Sequence, residues 1–277
     1  MKTLKLLFIG DIFGKPGIET VKNLLPKLIK EHNLDFVIAQ GENATGRKGL
    51  SYQDYQELSQ AGVNCFTMGN HVWANQEIFD FIDHENIVRP FNISETYRGL
   101  GTKVFKIESK NLTLRVTSIM GITFNPLLRP WEQEYADNFF DAADRLLETH
   151  PADFDFIDFH GETTSEKHVF ALYLDGQVDA VCGTHTHVQT NDYKVLPNGT
   201  CYISDAGMTG PENSAIGANF QEVYEKMRFD SKKPFKVSPN LTQFNSVILE
   251  LNQDRSLNKI YPLNYEHLNF SEIDSNS

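Results

Sequence analysis

Residues 176–189 read GQVDAVCGTHTHVQ, a short apolar run that gives way to two histidines separated by a threonine. VDAV has the length and β-branched content of a buried strand, and a glycine closes it. His185 and His187 therefore stand at the tip of a core strand. In open α/β folds that tip is where sites lie, beyond the carboxyl ends of the strands.

Upstream, strand and helix patterns alternate. TLKLLFIG (3–10), DFVIAQ (35–40) and VNCFTMG (63–69) read as strands. GIETVKNLLPKLIKEH (17–32), YQDYQELSQAG (52–62) and NQEIFDFIDHE (75–85) have helical apolar spacing, with Pro26 expected to kink or divide the first. This rhythm predicts a largely parallel sheet with right-handed crossovers. TKVFKIES and LTLRVTSIMG flank Lys110 and Asn111 as a hairpin. The proline-punctuated stretch 123–133 reads as a loop, 139–150 as a helix, DFDFIDFH (153–160) as a strand and SEKHVFALYL (165–174) as a helix. CYISDAG, FNSVILELN and NKIYPLN near the end look antiparallel. The expected architecture is α/β, a layered α-β-β-α sandwich with two mixed sheets, in a single domain over 1–265. A polar, frayed C-terminal tail follows over 266–277.

The chain has 277 residues, 40% apolar and 22% charged, which suffices for one large α/β core. A net charge of −12 argues against broad nucleic-acid binding, which needs a basic surface. It leaves room for an anionic substrate in a pocket made positive by bound metal. Three cysteines without a CxxC pair, Cys65, Cys182 and Cys201, read as reduced buried thiols. No stretch reaches the ~18 apolar residues of a membrane span, and the N-terminal run is too short for a signal peptide. A cytoplasmic protein is expected.

Five strand ends deliver chemistry. GDIFG carries Asp11, GENATGRKG carries Glu42 and Asn43, GNHVW carries Asn70 and His71, HGETTSEK carries His160, and THTH carries His185 and His187. Taken singly, Asp11 could cap a helix, Asn70 could form a turn and a lone histidine could be structural. Together they predict a metal site. Residues two apart in extended chain face one side, so His185 and His187 are expected to reach toward two ions that share a ligand. Thr184 and Thr186 then point away or bond the loop. Imidazole, carboxylate and amide oxygen without thiolate suit Mn, Fe or Zn in a reactive site.

In their order these motifs resemble the calcineurin-like dinuclear metallophosphoesterases, and more narrowly the YmdB-like phosphodiesterases, from Asp11 to about Asp205. Phe13 stands where the wider superfamily has the histidine of Asp-x-His, and Gly-Glu-Asn replaces Gly-Asp. Both departures are features of the YmdB-like subgroup. The resemblance implies two divalent transition-metal ions per chain, Fe or Mn before Zn. Asp11, Glu42, Asn43 and His187 would hold one ion; Glu42, Asn70, His160 and His185 would hold the other. Glu42 would bridge, and His71 would serve as general acid or transition-state stabiliser.

Two such ions can generate hydroxide at neutral pH and clamp a phosphoryl group. With Asp11, Glu42 and a bridging hydroxide their net charge is roughly +1, which attracts a phosphodiester without trapping it. The resemblance implies hydrolysis of cyclic nucleotides, 2′,3′-cyclic before 3′,5′-cyclic, and a homo-oligomer. A nucleotidase-type phosphomonoesterase and a regulatory protein that binds nucleotide or an RNA-processing partner stand as alternatives. Arg47 and Lys48 could contact phosphate or form a solvated turn. Lys167 could contact phosphate or belong to a helix cap. Trp73 and Phe124 could stack on a base or pack in the core.

Overall fold

A computed structural model of the chain describes residues 2–149 and 152–270. The first part runs β1 (Thr3–Ile9), β2 (Asp11–Ile12), α1 (Gly14–His32), β3 (Phe36–Gln40), α2 (Tyr52–Ala61), β4 (Cys65–Thr67), α3 (Ile78–Phe81) and β5 (Ile87–Val88). As the βα rhythm predicts, β1, β3, β4 and β5 pair in parallel.

Helix α1 is one unbroken element with Pro26 inside it, not two. A mid-helix proline costs about 3 kcal/mol. The buried Ile18, Val21, Leu25 and Leu28 on the same face hold the turns before and after it to one core. Helix α2 is bounded as expected: the Ser51 side chain accepts from Asp54 N, and Gly62 ends it at φ 119°. Helix α3 is a single turn, far shorter than the apolar spacing predicts. Local bonds compete at both ends: Asn75 Oδ1 accepts from Glu77 N, and the Asp83 carboxylate is taken by Arg98 and Gly99 N.

The chain continues through β6 (Thr102–Ile107), β7 (Leu112–Met120), α4 (Phe139–Leu147), β8 (Phe154–His160), α5 (Thr164–Tyr173), β9 (Ala180–Thr184), β10 (Lys194–Val195), β11 (Cys201–Ile203) and β12 (Met208–Pro211). It ends with α6 (Phe220–Phe229), β13 (Thr242–Phe244), β14 (Ser246–Asn252), β15 (Lys259–Pro262) and β16 (Tyr265–Leu268). The first sheet has the order β15-β14-β1-β3-β4-β5 and the second β10-β11-β9-β8-β7-β6. The hairpin β6–β7 and the antiparallel β14 and β15 agree with the sequence reading. β11 agrees on one edge only: it is antiparallel to β10 but lies parallel to β9. Its three residues are fully buried and carry no alternation from which direction could be read.

A third, four-stranded sheet, β16-β13-β12-β2, was not expected; strands of two to four residues leave no periodic signal. It places Glu266–Leu268 in paired strand rather than in a frayed tail. Residues 271–277 of that tail and His150 of the predicted fourth helix lie outside the described residues.

Three apolar clusters make the layers. One packs α1 and α2 on the outer face of the first sheet, through Val21, Leu25, Leu58 and Val37. A second fills the space between the sheets with Leu6, Phe8, Ile38, Val116, Phe156 and Val247 among others, and includes all three cysteines. The third packs α4 and α5 on the outer face of the second sheet, through Leu146, Phe159, Phe170 and Val181. This is the α-β-β-α sandwich. The carboxyl ends of β1, β3 and β4 from one sheet and of β8 and β9 from the other meet along one edge.

Candidate metal centre

All seven expected ligands converge at that edge. Asp11 follows β1 directly: Gly10 N donates to Asn245 O at 3.1 Å and Asp11 N to Gly207 O at 3.0 Å. A side chain on Gly10 would lie 2.1 Å from that same Gly207 oxygen, so only glycine lets the two segments cross. Glu42 follows β3, and its backbone N–H donates to Gln40 Oε1 at 2.9 Å. After β4, a Cβ on Gly69 would lie 2.2 Å from the His160 ring, so glycine admits that imidazole.

His160 is the meeting point. Its Nε2 lies 3.0 Å from Glu42 Oε1, 3.0 Å from Asn70 Oδ1 and 3.0 Å from His185 Nδ1. Its other nitrogen, Nδ1, is 2.9 Å from Thr184 Oγ1, which donates onward to Asp158 at 2.6 Å. Nδ1 therefore carries the proton of the neutral ring and Nε2 is bare. His185 has the complementary arrangement. Its Nε2 faces Glu162 Oε2 at 3.1 Å, which places the proton there and leaves Nδ1 bare. Four polar atoms thus converge on one spot where the group they can share is a single cation, either a proton on His160 Nε2 or a metal ion. That is a good cation site; Glu42, His160 and His185 bring ligand atoms within 4.8 Å of one another.

A second group adjoins it. His187 Nε2 is 3.6 Å from Asp11 Oδ1 and 3.3 Å from Asn43 Nδ2, while its Nδ1 donates to Ile216 O at 3.0 Å. Asn43 Nδ2 also faces Asp11 Oδ1 at 3.4 Å. As a ligand Asn43 would turn its amide half a turn to present the oxygen.

The two imidazoles do not reach their places by strand alternation. β9 ends at Thr184, and His185 and His187 adopt φ 100° and 64°. Asp11 Oδ2 accepts from His185 N, and Asp205 Oδ2 accepts from Thr186 N and Oγ1. These bonds wind the loop left-handed, so one ring turns to Glu42 and the other to Asp11. Both threonines bond the surrounding structure, as expected.

The electrostatics agree. Burial pushes the Glu42 carboxyl up, but His160 and the His71 N–H outweigh it and hold Glu42 below the usual range. Asp11 is likewise held down by His187 against the effect of burial. Burial pulls His160 down, yet Glu42 and Asp11 raise it to about 9. A potential strong enough to hold a proton there is strong enough to hold a cation. His185 is lowered to about 3 by burial and by His160. His71, half-buried, donates its backbone N–H to Glu42 Oε2 at 2.9 Å, and burial lowers its imidazole.

Several partners were not found from sequence. Glu162 and Gln40 neighbour ligands in the chain but belong to no recognisable spacing. Lys167 lies neither in a cap nor at the surface: it is 1% exposed and donates to Asp205 Oδ2 at 2.9 Å and Thr184 O at 2.8 Å. The cap at this helix is Thr163. Arg47 stacks over Phe235 at 5.6 Å, and Trp73 is core. Phe124 is 82% exposed.

Four layers with acidic, amide and imidazole side chains at the joined strand ends define a metallophosphoesterase-type protein. The signature of the YmdB-like protein family matches residues 7–263, and the chain belongs to that family. It is 41% identical over 251 residues to the 2′,3′-cyclic-nucleotide 2′-phosphodiesterase of Bacillus subtilis (strain 168), covering 90% of this chain and 91% of the relative. Among solved structures it is similar to a phosphatase of Mycoplasma pneumoniae, with TM-score 0.89 and 35% identity over 97% of this chain and 95% of that one. A hypothetical protein of Thermus thermophilus gives TM-score 0.85 and 35% identity, over 95% of this chain and 100% of that one.

Proposed function

We propose that this phosphoric ester hydrolase is a dinuclear metal-dependent phosphodiesterase that opens 2′,3′-cyclic nucleotides, with 3′,5′-cyclic nucleotides as poorer substrates. The observation that carries this reading is the convergence of Glu42 Oε1, Asn70 Oδ1 and His185 Nδ1 on His160 Nε2, each at 3.0 Å, beside a second group built on Asp11. Glu42, Asn70, His160 and His185 would hold one ion; Asp11, Glu42, Asn43 and His187 would hold the other. Iron or manganese suits this donor set. When bound, such a pair supplies hydroxide at neutral pH and neutralises charge on the phosphoryl oxygens.

The chain's own groups do the rest. Glu42, which would bridge the two ions, has its carboxylate fixed by the hydrogen bond from His71 N. Thr184, Glu162 and Ile216 O hold the second ring nitrogens of His160, His185 and His187, so each imidazole keeps one lone pair facing inward. His71 stands beside this group and donates a proton or hydrogen bond to the leaving oxygen. The three cysteines are buried and free, which fits the reducing cytoplasm we assign.

The test is elemental analysis beside hydrolysis of 2′,3′-cyclic AMP, for wild type and Glu42→Gln. About two transition-metal ions per chain, with metal and at least about 100-fold of activity lost in the variant, is the expected result. Protein that stays inactive with added manganese or iron refutes the reading. Faster turnover of a nucleotide monoester than of the cyclic diester makes it a nucleotidase instead.

A further inference from the structure

The loop after β7 carries an exposed aromatic ring that the metal centre does not use. β7 ends at Met120, in register opposite His160, and Gly121 N donates to His160 O at 2.9 Å. Next, Glu166 Oε1 accepts from Ile122 N, Thr123 N and Thr123 Oγ1 at 3.2, 2.9 and 2.7 Å. Asn125 N closes a turn on Ile122 O. The returning limb is fastened as well. Trp131 Nε1 donates to Asn70 O at 2.7 Å, and Asn92 Nδ2 bridges Met120 O and Asp137 O. Both limbs are therefore tied to residues that deliver His160 and Asn70.

Phe124 sits in this turn at φ 58°, a region that bulky side chains avoid, and the residue is 82% exposed. The aromatic group that the returning limb joins through Trp131, with Trp73 and Tyr97, packs together without it. Three residues of chain span at most about 10 Å, so Phe124 lies within that reach of Gly121, which is one hydrogen bond from the His160 backbone. That is the scale of one nucleotide.

We propose that Phe124 is the platform on which the base of the substrate stacks. The proposal rests on the phosphodiesterase reading above and names how that site takes a nucleoside rather than any cyclic phosphate. Stacking on an aromatic ring is tolerant of base identity, because every base has a π-face. The platform thus favours nucleotides over base-free diesters and separates adenine from uracil only weakly.

Wild type, Phe124→Ala and Phe124→Trp are compared on 2′,3′-cyclic AMP, 2′,3′-cyclic UMP and glycerol 1,2-cyclic phosphate, which has the same ring and no base. In Phe124→Ala the nucleotide-to-glycerol ratio of kcat/KM falls roughly tenfold or more, through KM, and Phe124→Trp keeps it. An equal change on all three substrates, or none, overturns the proposal. Equilibrium dialysis with 2′,3′-cyclic AMP separates it from the reading beneath it. If wild type binds the nucleotide more tightly than Phe124→Ala does but turns nothing over, the phosphodiesterase reading falls and the platform stands. If neither protein binds it, the platform falls.

Discussion

Glu162 is half-exposed, yet it decides which nitrogen of His185 is free. Its carboxylate, 3.1 Å from His185 Nε2, keeps the ring proton away from the metal centre. Partners of this kind are worth about 10–100-fold in metal affinity. Glu162→Ala is therefore expected to weaken manganese binding by that factor in a dialysis titration, and Glu162→Gln, which can still accept, by less. Equal affinity in all three proteins would assign the orientation of His185 to its backbone alone. The convergence of the seven candidate ligands was legible in the sequence, because each stands at or a few residues beyond the end of an apolar run, and position along a strand can be read from one dimension. Glu162, Gln40 and Asp158 were not, because a hydrogen bond to a ring nitrogen depends on which way the ring faces. The left-handed backbone at His185 and His187 was missed for a related reason: it is imposed by bonds from Asp11 and Asp205, distant in the chain.

Helix α5 is held to the ends of β11 and β9 by Lys167, through a buried ion pair to Asp205 beyond β11 and a hydrogen bond to β9. Lys167 and Asp205 are each 1% exposed, and the lysine also bonds the carbonyl of Thr184 at the end of β9. Removing one partner of such a pair leaves a buried charge uncompensated and costs about 3–5 kcal/mol. Lys167→Met should lose that much stability in urea unfolding at pH 7. A loss under about 1 kcal/mol would mean that Asp205 is satisfied by Thr186 and Gly207 N without the lysine. Element boundaries were readable where caps mark them, as at Ser51 and Gly62 of α2. They failed where tertiary burial overrode a local rule, as at Pro26 of α1, or where side chains captured the backbone, as around α3.

At the scale of the molecule, the candidate ligands come from both sheets: Glu42 and Asn70 follow strands of the first, His160 and His185 end or follow strands of the second. A metal bound there links the two layers, so binding adds to the stability of the native state. At 100 times the dissociation constant the gain is about 2.7 kcal/mol. Chelation should lower Tm by a few degrees, manganese should restore it, and Glu42→Gln should show neither effect. A Tm indifferent to chelator would place the ion outside the seam. The four layers were predicted from the alternation of apolar strands and helices. The third sheet was not, because its strands are too short to carry a period. The pairing of β14 along the whole of β1, from Thr3↔Asn252 to Ile9↔Ser246, has one more consequence. The first strand to leave the ribosome waits for one of the last before its second edge is closed. Until then the nascent chain carries an open strand next to Asp11, and a truncation before residue 246 would make that exposure permanent. Closure of the edge beside Asp11 therefore belongs after synthesis, once the late strand has come back to meet the early one.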